Sequence, residues 1–274
     1  MAIILPLLVT ITALLAAGIY YRLAFVLLDP KRNKPLRHGR RNPNEPTHLM
    51  IVLGSGGHTT EMLSMLTRCV QESDPAQKLH WNDYHHRTWV VSEGDNLSAA
   101  RAKEFEEMAS PLSTQEDLMA GKVRKATDIG PGTYEVVTVP RAREIHQPLL
   151  TSPLSSLTTM RACWDLLQKH TTKTREGHGG QAGEKDAPDL ILVNGPATAT
   201  IMVFTSILLR FFDVKGVSTR GKMRTVYVES WARVKRLSLS GKLLRRVVDR
   251  FLVQWPQVKR EVGGRVEYLG VLVQ

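Results

Sequence analysis

The sequence lacks most of the signals that assign a function quickly. It holds two cysteines, Cys69 and Cys163, in 274 residues. Both lie inside apolar helical patterns, so there is neither a disulfide framework nor metal-ligand spacing, in keeping with a reducing compartment. No P-loop ending in Gly-Lys-Ser/Thr and no G-x-G-x-x-G spacing occurs, which disfavours a kinase or a simple dehydrogenase. Internal repeats are absent. Charge is missing altogether from residues 1–21, and apolar character continues past Arg22 to Leu28. About 20 helical residues cross a bilayer core, so residues 1–28 are long enough to span one. The marks of a cleaved secretory leader, a basic start and a small-residue cleavage site, are lacking as well.

A basic segment succeeds the apolar run. Lys31, Arg32, Lys34, Arg37, Arg40 and Arg41 come with no acid between Asp29 and Glu45. By the positive-inside rule this flank, residues 29–46, stays in the cytosol, and the body of the protein with it. Pro6 and Arg22 leave a second reading open, a helix lying in the interface rather than crossing it. Asn96-Leu97-Ser98 is a formal glycosylation acceptor that is modified only if the domain is lumenal, so it reports topology. The net charge is +11, and residues 210–250 carry twelve Lys or Arg against three acids. An anionic membrane is the expected partner of that surface, and nucleic acid is not, because the apolar anchor already brings the domain within a Debye length of lipid phosphates.

From residue 47 on, short apolar runs alternate with segments of helical period. Strands are expected at residues 48–53, 88–92, 135–139, 190–193, 225–228, 251–254 and 266–273. Residues 59–70 read as a helix, with Met62, Leu63, Leu66 and Val70 on one face. Strands that are apolar throughout predict a parallel sheet covered on both sides, an α/β Rossmann-like domain over residues 47–274. Residues 110–132 break the rhythm. So do residues 171–188, whose Gly-rich polar composition reads as a solvated insertion.

In a parallel sheet ligands bind beyond the carboxyl ends of the strands, and the chemistry-bearing residues fall there. Gly54-Ser55-Gly56-Gly57-His58-Thr59-Thr60 joins the first strand to its helix. The glycines allow close backbone approach, and free N–H groups at a helix start suit a phosphate or diphosphate. Ser55 and Thr59 add hydroxyls, and His58 adds a charge or a proton. The structural alternative is a tight turn with a threonine cap. Further clusters are Ser92-Glu93-Gly94-Asp95, Pro140-Arg141-Ala142-Arg143, Asn194-Gly195-Pro196-Ala197-Thr198 and Glu229-Ser230-Trp231 with Arg233. Arg141 and Arg143 share one side of an extended segment and suit a pyrophosphate, unless they are an exposed surface pair. Asn194-Gly195-Pro196 is otherwise a turn before a helix. Glu229 would act as a base or bind a sugar hydroxyl, or simply pair with a nearby arginine. Five polar clusters at one edge favour the functional reading.

These residues carry a resemblance. V-L-G-S-G-G-H-T-T-E-M-L from Val52, P-R-A-R-E-I-H-Q from Pro140, N-G-P-A-T-A from Asn194, V-Y-V-E-S-W-A-R-V from Val226 and F-L-V-Q-W-P from Phe251 closely resemble one family. It is the membrane-anchoring subunits of the UDP-N-acetylglucosamine transferase that adds the second sugar to the dolichol-pyrophosphate precursor of N-glycans. Bacterial polysaccharide-synthesis transferases are similar more weakly. The resemblance implies the amino-terminal half of a GT-B glycosyltransferase in the endoplasmic reticulum membrane and the contiguous nuclear membrane. Its partners would be a soluble catalytic subunit, a dolichol-pyrophosphate-linked acceptor and membrane lipids. UDP-GlcNAc would be bound mainly by the soluble subunit, with no metal and no other cofactor implied. The alternative is a self-sufficient membrane-associated transferase of polysaccharide synthesis. By the resemblance, Ser55, Gly56, Gly57 and Thr59 lie near the acceptor pyrophosphate with Arg141, Arg143, Asn194 and Gly195. His58 and Glu229 are the candidate catalytic groups. In one place the chain departs from the family pattern: Ala197 stands where glycine is expected, and its methyl group disfavours positive φ.

Overall fold

The central apolar runs become strands buried on both faces, the two edge strands are partly exposed, and alternating side chains divide the core in two. The computed structural model describes residues 4–29, 47–74, 78–119, 132–143, 152–169, 186–268 and 270–271. In β1 (His48–Val52) every residue is buried. Met50 and Val52 face one cluster, with Cys163, Leu167, Met202 and Val203. Leu49 and Ile51 face another, with Met62, Leu66, Trp89 and Phe105. This is the period-2 alternation of a strand, and each fully buried side chain of this size contributes about 1.5–3 kcal/mol before ordering entropy is subtracted.

The remaining strands are β2 (His86–Ser92), β3 (Thr133–Val139), β4 (Leu190–Asn194), β5 (Arg224–Val228), β6 (Arg250–Val253) and β7 (Val266–Tyr268). All six pairings are parallel. The order is β3-β2-β1-β4-β5-β6-β7, so the sheet is the doubly wound one expected, and its direction of winding reverses between β1 and β4. Helices α2 (Gly57–Gln71) and α3 (Asn96–Met119) pack together on the Leu49 side. Helices α4 (Ser152–Lys169) and α5 (Thr198–Phe211) pack together on the other, where α6 (Leu239–Leu244) and α7 (Pro256–Val262) also contribute to the core.

Two expectations are corrected. Residues 110–119 continue α3 instead of breaking the rhythm; Pro111 removes one N–H from the ladder without ending the helix. Residues 120–131 lie outside the described residues. The last strand, expected to reach residue 273, ends at Tyr268, and Gly270 beyond it has a left-handed φ of 86°, outside the extended region of a regular strand. Most of the insertion at 171–188 also lies outside the described residues; at its end Asp186 pairs with Arg220 and Lys222.

The apolar amino-terminal segment forms α1 (Ile4–Leu28), long and apolar enough to cross a membrane. Most of it is exposed, and only its last two turns meet the domain, where Val26 is buried. Two arginines close the junction from opposite sides. Arg22 donates from Nε to the Phe211 carbonyl at 2.7 Å and from Nη2 to the Arg210 carbonyl at 3.0 Å, at the end of α5. Arg210, fully buried and paired with Asp249, donates from Nη2 to the Val26 carbonyl at 2.8 Å, at the end of α1. Each helix thus receives at its carboxyl end, where carbonyls have no partner within the helix, a cation supplied by the other.

Candidate active site

The topology brings the predicted clusters to one edge. With all strands parallel, the segments after β1, β2, β3, β4 and β5 leave the sheet on the same side. The loops after β1 and β4 flank the point where the winding reverses, and such a point opens a crevice because the two following helices go to opposite faces.

In that crevice Ser55, Gly56 and Gly57 are exposed and His58 is half-buried. Helix α2 starts there with Gly56 at its amino end, at φ 63° and with no side-chain cap. A Cβ on Gly56 or on Gly57 would meet nothing within 4 Å. The space over these residues is therefore open, and the uncapped N–H groups and positive helix end face it. Gly54 and Gly195 are glycines for another reason. A Cβ on Gly54 would lie 2.8 Å from the His58 Cβ, and one on Gly195 would lie 3.2 Å from the Gly54 Cα and the His58 Cγ. The two loops close on each other only because both lack side chains at that contact.

Asn194 locks the arrangement. It is buried, and its Nδ2 donates to the His58 carbonyl at 2.8 Å, while its Oδ1 has no hydrogen-bond partner among the described residues. Thr59 faces inward: its hydroxyl donates to the Gly54 carbonyl and contacts the Ser98 hydroxyl at 2.6 Å. It braces the loop from beneath. Ser98 in turn donates to Asp95 at 2.7 Å, so the start of α3 is capped by its own aspartate. Ala197 adopts φ 46° at the start of α5 in spite of its methyl group. The loop contacts made by Gly195 on one side and the α5 packing on the other over-determine the turn, and the cost is of order 1–3 kcal/mol.

Arg141 and Arg143 stand farther out, after β3, with β2 between them and β1. Strands are about 4.8 Å apart, so their backbone lies roughly 10 Å from the glycine loop. Arg141 donates from Nε to the Glu93 carbonyl at 2.8 Å, and Arg143 is exposed. The structure therefore gathers Ser55, Gly56, Gly57, His58, Asn194 and Gly195 tightly and sets the arginines at the rim.

Glu229, at the end of β5, is 2% exposed. Oε1 accepts from the Ser230 N–H at 3.2 Å, and Oε2 accepts from the Ser238 N–H and hydroxyl, each at 3.1 Å. Burial pushes this carboxyl above the ordinary carboxylate range, against the opposing pull of the Ser238 and Ser230 hydrogen bonds. Gly241 packs against it so closely that a Cβ there would collide with Oε2. Glu229 thus orders the segment from Ser230 to Ser238 from inside.

One residue of the site was not singled out from sequence. Glu61, one turn into α2, accepts at Oε1 from the Ser230 hydroxyl at 2.8 Å, and its Oε2 lies 3.7 Å from His58 Nδ1. Burial acts to raise its pKa, but His58, Ser230 and the Trp231 N–H together hold it below the usual range. Its spacing of three from His58 on a helix was a readable signal. Its bond to a loop 169 positions away was not.

The family model for oligosaccharide biosynthesis proteins of the Alg14-like type matches residues 49–272. The chain belongs to the Alg14-like family. A relative in Aspergillus fumigatus, named UDP-N-acetylglucosamine transferase subunit alg14, is 39% identical over 248 residues, covering 77% of this chain and 100% of that protein. The subunits named ALG14 in mouse and human are 33% and 31% identical over 231 residues, each alignment covering 84% of this chain and 85% of the relative. The family match takes in the sheet from its second residue, Leu49, to its end and all five strand-end loops.

Proposed function

We propose that this chain is the membrane-anchoring subunit of a UDP-N-acetylglucosamine transferase, in which it binds a pyrophosphate-linked lipid acceptor and recruits a soluble subunit that holds the sugar nucleotide. The observation that carries this reading is the open space over Gly56 and Gly57 at the uncapped start of α2, beside His58 and facing the loop of Asn194. N–H groups and a positive helix end suit the acceptor diphosphate. His58 then lies one residue away as the proton acceptor for the attacking sugar hydroxyl. Its Nδ1 is buried, so Nε2 is the ring nitrogen a substrate can reach. Glu229 orders the far wall, and Arg141 and Arg143 attract the anionic head from the rim.

The described residues contain one Rossmann-like sheet, and a GT-B transferase uses two, with the sugar nucleotide on the second. The name "subunit" borne by the relatives supports a split enzyme. Lipid contact is supported by residues 231–246. Trp231, Val234, Leu239 and Leu243 are exposed there among Arg233, Lys235, Arg236, Lys242 and Arg246, with no acid between Glu229 and Asp249. The setting is the endoplasmic reticulum membrane with the domain in the cytosol, adding the second GlcNAc of the dolichol-linked precursor.

The test is transfer of GlcNAc from UDP-GlcNAc to a GlcNAc-pyrophosphoryl-polyprenyl lipid, using membranes that contain this chain with and without the soluble partner. Transfer only with both is expected; full transfer by this chain alone would instead favour a self-sufficient transferase. Asn96 is exposed at the start of α3, so in the same membranes it stays unglycosylated if the domain is cytosolic, and a glycan there overturns the orientation.

A further inference from the structure

We infer that Glu61 is a positioning residue for His58, fixing the imidazole so that Nδ1 carries the proton and Nε2 is left to accept one. This rests on the reading of His58 as the proton acceptor. Nδ1 is buried without a hydrogen-bond partner among the described residues, and the side chain as a whole is 31% exposed. A buried ring nitrogen is costly to leave unmatched. The nearest acidic group to Nδ1 among the described residues is the Glu61 carboxylate, at 3.7 Å, slightly too long for a hydrogen bond and separated from one by a small movement of either side chain.

Glu61 is itself fixed from a second element. Besides the Ser230 hydroxyl, the Trp231 N–H donates to its Oε2 at 3.4 Å. Asn194 holds the His58 backbone, and the glycine contacts of Gly54 and Gly195 bound the ring on its Cβ–Cγ side. The ring is thus confined by backbone on one side and by a carboxylate on the other, which is the arrangement of a base oriented by a third group. The oriented tautomer depends on the negative charge and the position of Glu61, so Gln and Asp substitutions separate the two.

The experiment compares kcat and KM for the acceptor lipid in membranes containing the full chain and its soluble partner. Glu61→Gln is expected to lower kcat by roughly tenfold or more with KM unchanged, bounded by the ~10²–10⁴-fold that general-base catalysis supplies. Glu61→Asp should restore part of the loss. In a His58→Ala background, Glu61→Gln should cause no further loss, because a residue that acts through another has nothing left to act on. Ser230→Ala, which removes only the hydroxyl anchor, should cost less than Glu61→Gln. A loss that persists in the His58→Ala background, or one that Ser230→Ala reproduces in full, overturns the inference. Unchanged kcat in Glu61→Gln with activity lost in His58→Ala also overturns it but leaves His58 as the base. Full activity in His58→Ala removes the underlying reading itself.

Discussion

Two carboxylates are sealed in this protein to nearly the same depth, Glu106 at 1% exposure and Glu229 at 2%, and their surroundings differ completely. Glu106, on α3, receives Arg87 at Nε and Nη2 and the indole N–H groups of Trp81 and Trp89, all between 2.8 and 3.1 Å. It is neutralised by a cation and lies against a cluster of aromatic rings, in which Phe105 meets Trp81 and Trp89 edge-on and the two indoles are tilted to each other. Glu229 receives hydrogen bonds from Ser230 and Ser238, neutral donors, and Arg233 acts on it only through space. The comparison teaches that depth alone does not reveal what a buried acid does. The one with a cation fastens β2 to α3, and the one without it stands at the carboxyl edge and shapes a loop of the candidate site.

The contrast can be broken most severely at Arg87. Arg87→Met leaves Glu106 buried and unpaired, and a loss of about 3–5 kcal/mol is expected, read as a fall in the unfolding midpoint of the detergent-solubilised chain. A change below about 1 kcal/mol would show that the indoles suffice. Next comes Gly241→Ala, whose methyl group must displace the Glu229 carboxyl. A cost of about 1–3 kcal/mol and a loss of GlcNAc transfer are expected together, whereas transfer at the wild-type rate would separate Glu229 from the site. Glu229→Gln keeps the shape and removes the charge. One of the two N–H groups then faces an amide NH₂, at roughly 1–2 kcal/mol.

Its signature is the pH dependence. Because the folded-state pKa lies above the ordinary 4.5, the folded protein binds more protons than the unfolded one between 4.5 and that raised value. The Glu229 contribution is therefore present below this window and lost as pH rises through it. The stability of wild type relative to Glu229→Gln should fall with rising pH across the window, and a flat difference would mean that Glu229 is not perturbed. The smallest effect is at Ala197, where Ala197→Gly relieves the positive φ and should stabilise by less than about 1 kcal/mol in the same unfolding measurement. A loss there would show that the methyl group is packed rather than merely tolerated.

Much of this was legible in the sequence because it depends on local pattern. Strands that are apolar throughout can only be strands covered on both faces, and once they are parallel, every strand-end loop must reach one edge. The five polar clusters and the long apolar helix were readable on the same local grounds. The features that stayed hidden depend on residues far apart in the chain. Glu61 joined the site through Ser230, Glu106 became the clamp between β2 and α3 through Arg87 and two tryptophans, and Arg22 joined the anchor junction through the end of α5. The end of β7 was overestimated because Val271 and Leu272 look like strand residues, whereas the left-handed Gly270 turns the backbone and presents the Val271 carbonyl to Arg68 on α2. Thr59 reads equally as a ligand donor or a brace, and only the Gly54 carbonyl and Ser98 around it decide its orientation.

The crossed arginines between α1 and α5 have a consequence for reach. A domain hung from its anchor by a flexible segment as long as residues 30–46 would wander over about 20–25 Å, the coil dimension of such a chain. Here both ends of that segment are pinned to the same body, α1 by Arg22 and Arg210 and β1 by its place inside the sheet between β2 and β4. With Ile4–Leu28 in a bilayer, the domain is a turret fixed on its mast. The crevice would then stand at one height and one bearing over the headgroups, moved along the membrane by lateral diffusion of the whole protein rather than by swinging on a leash.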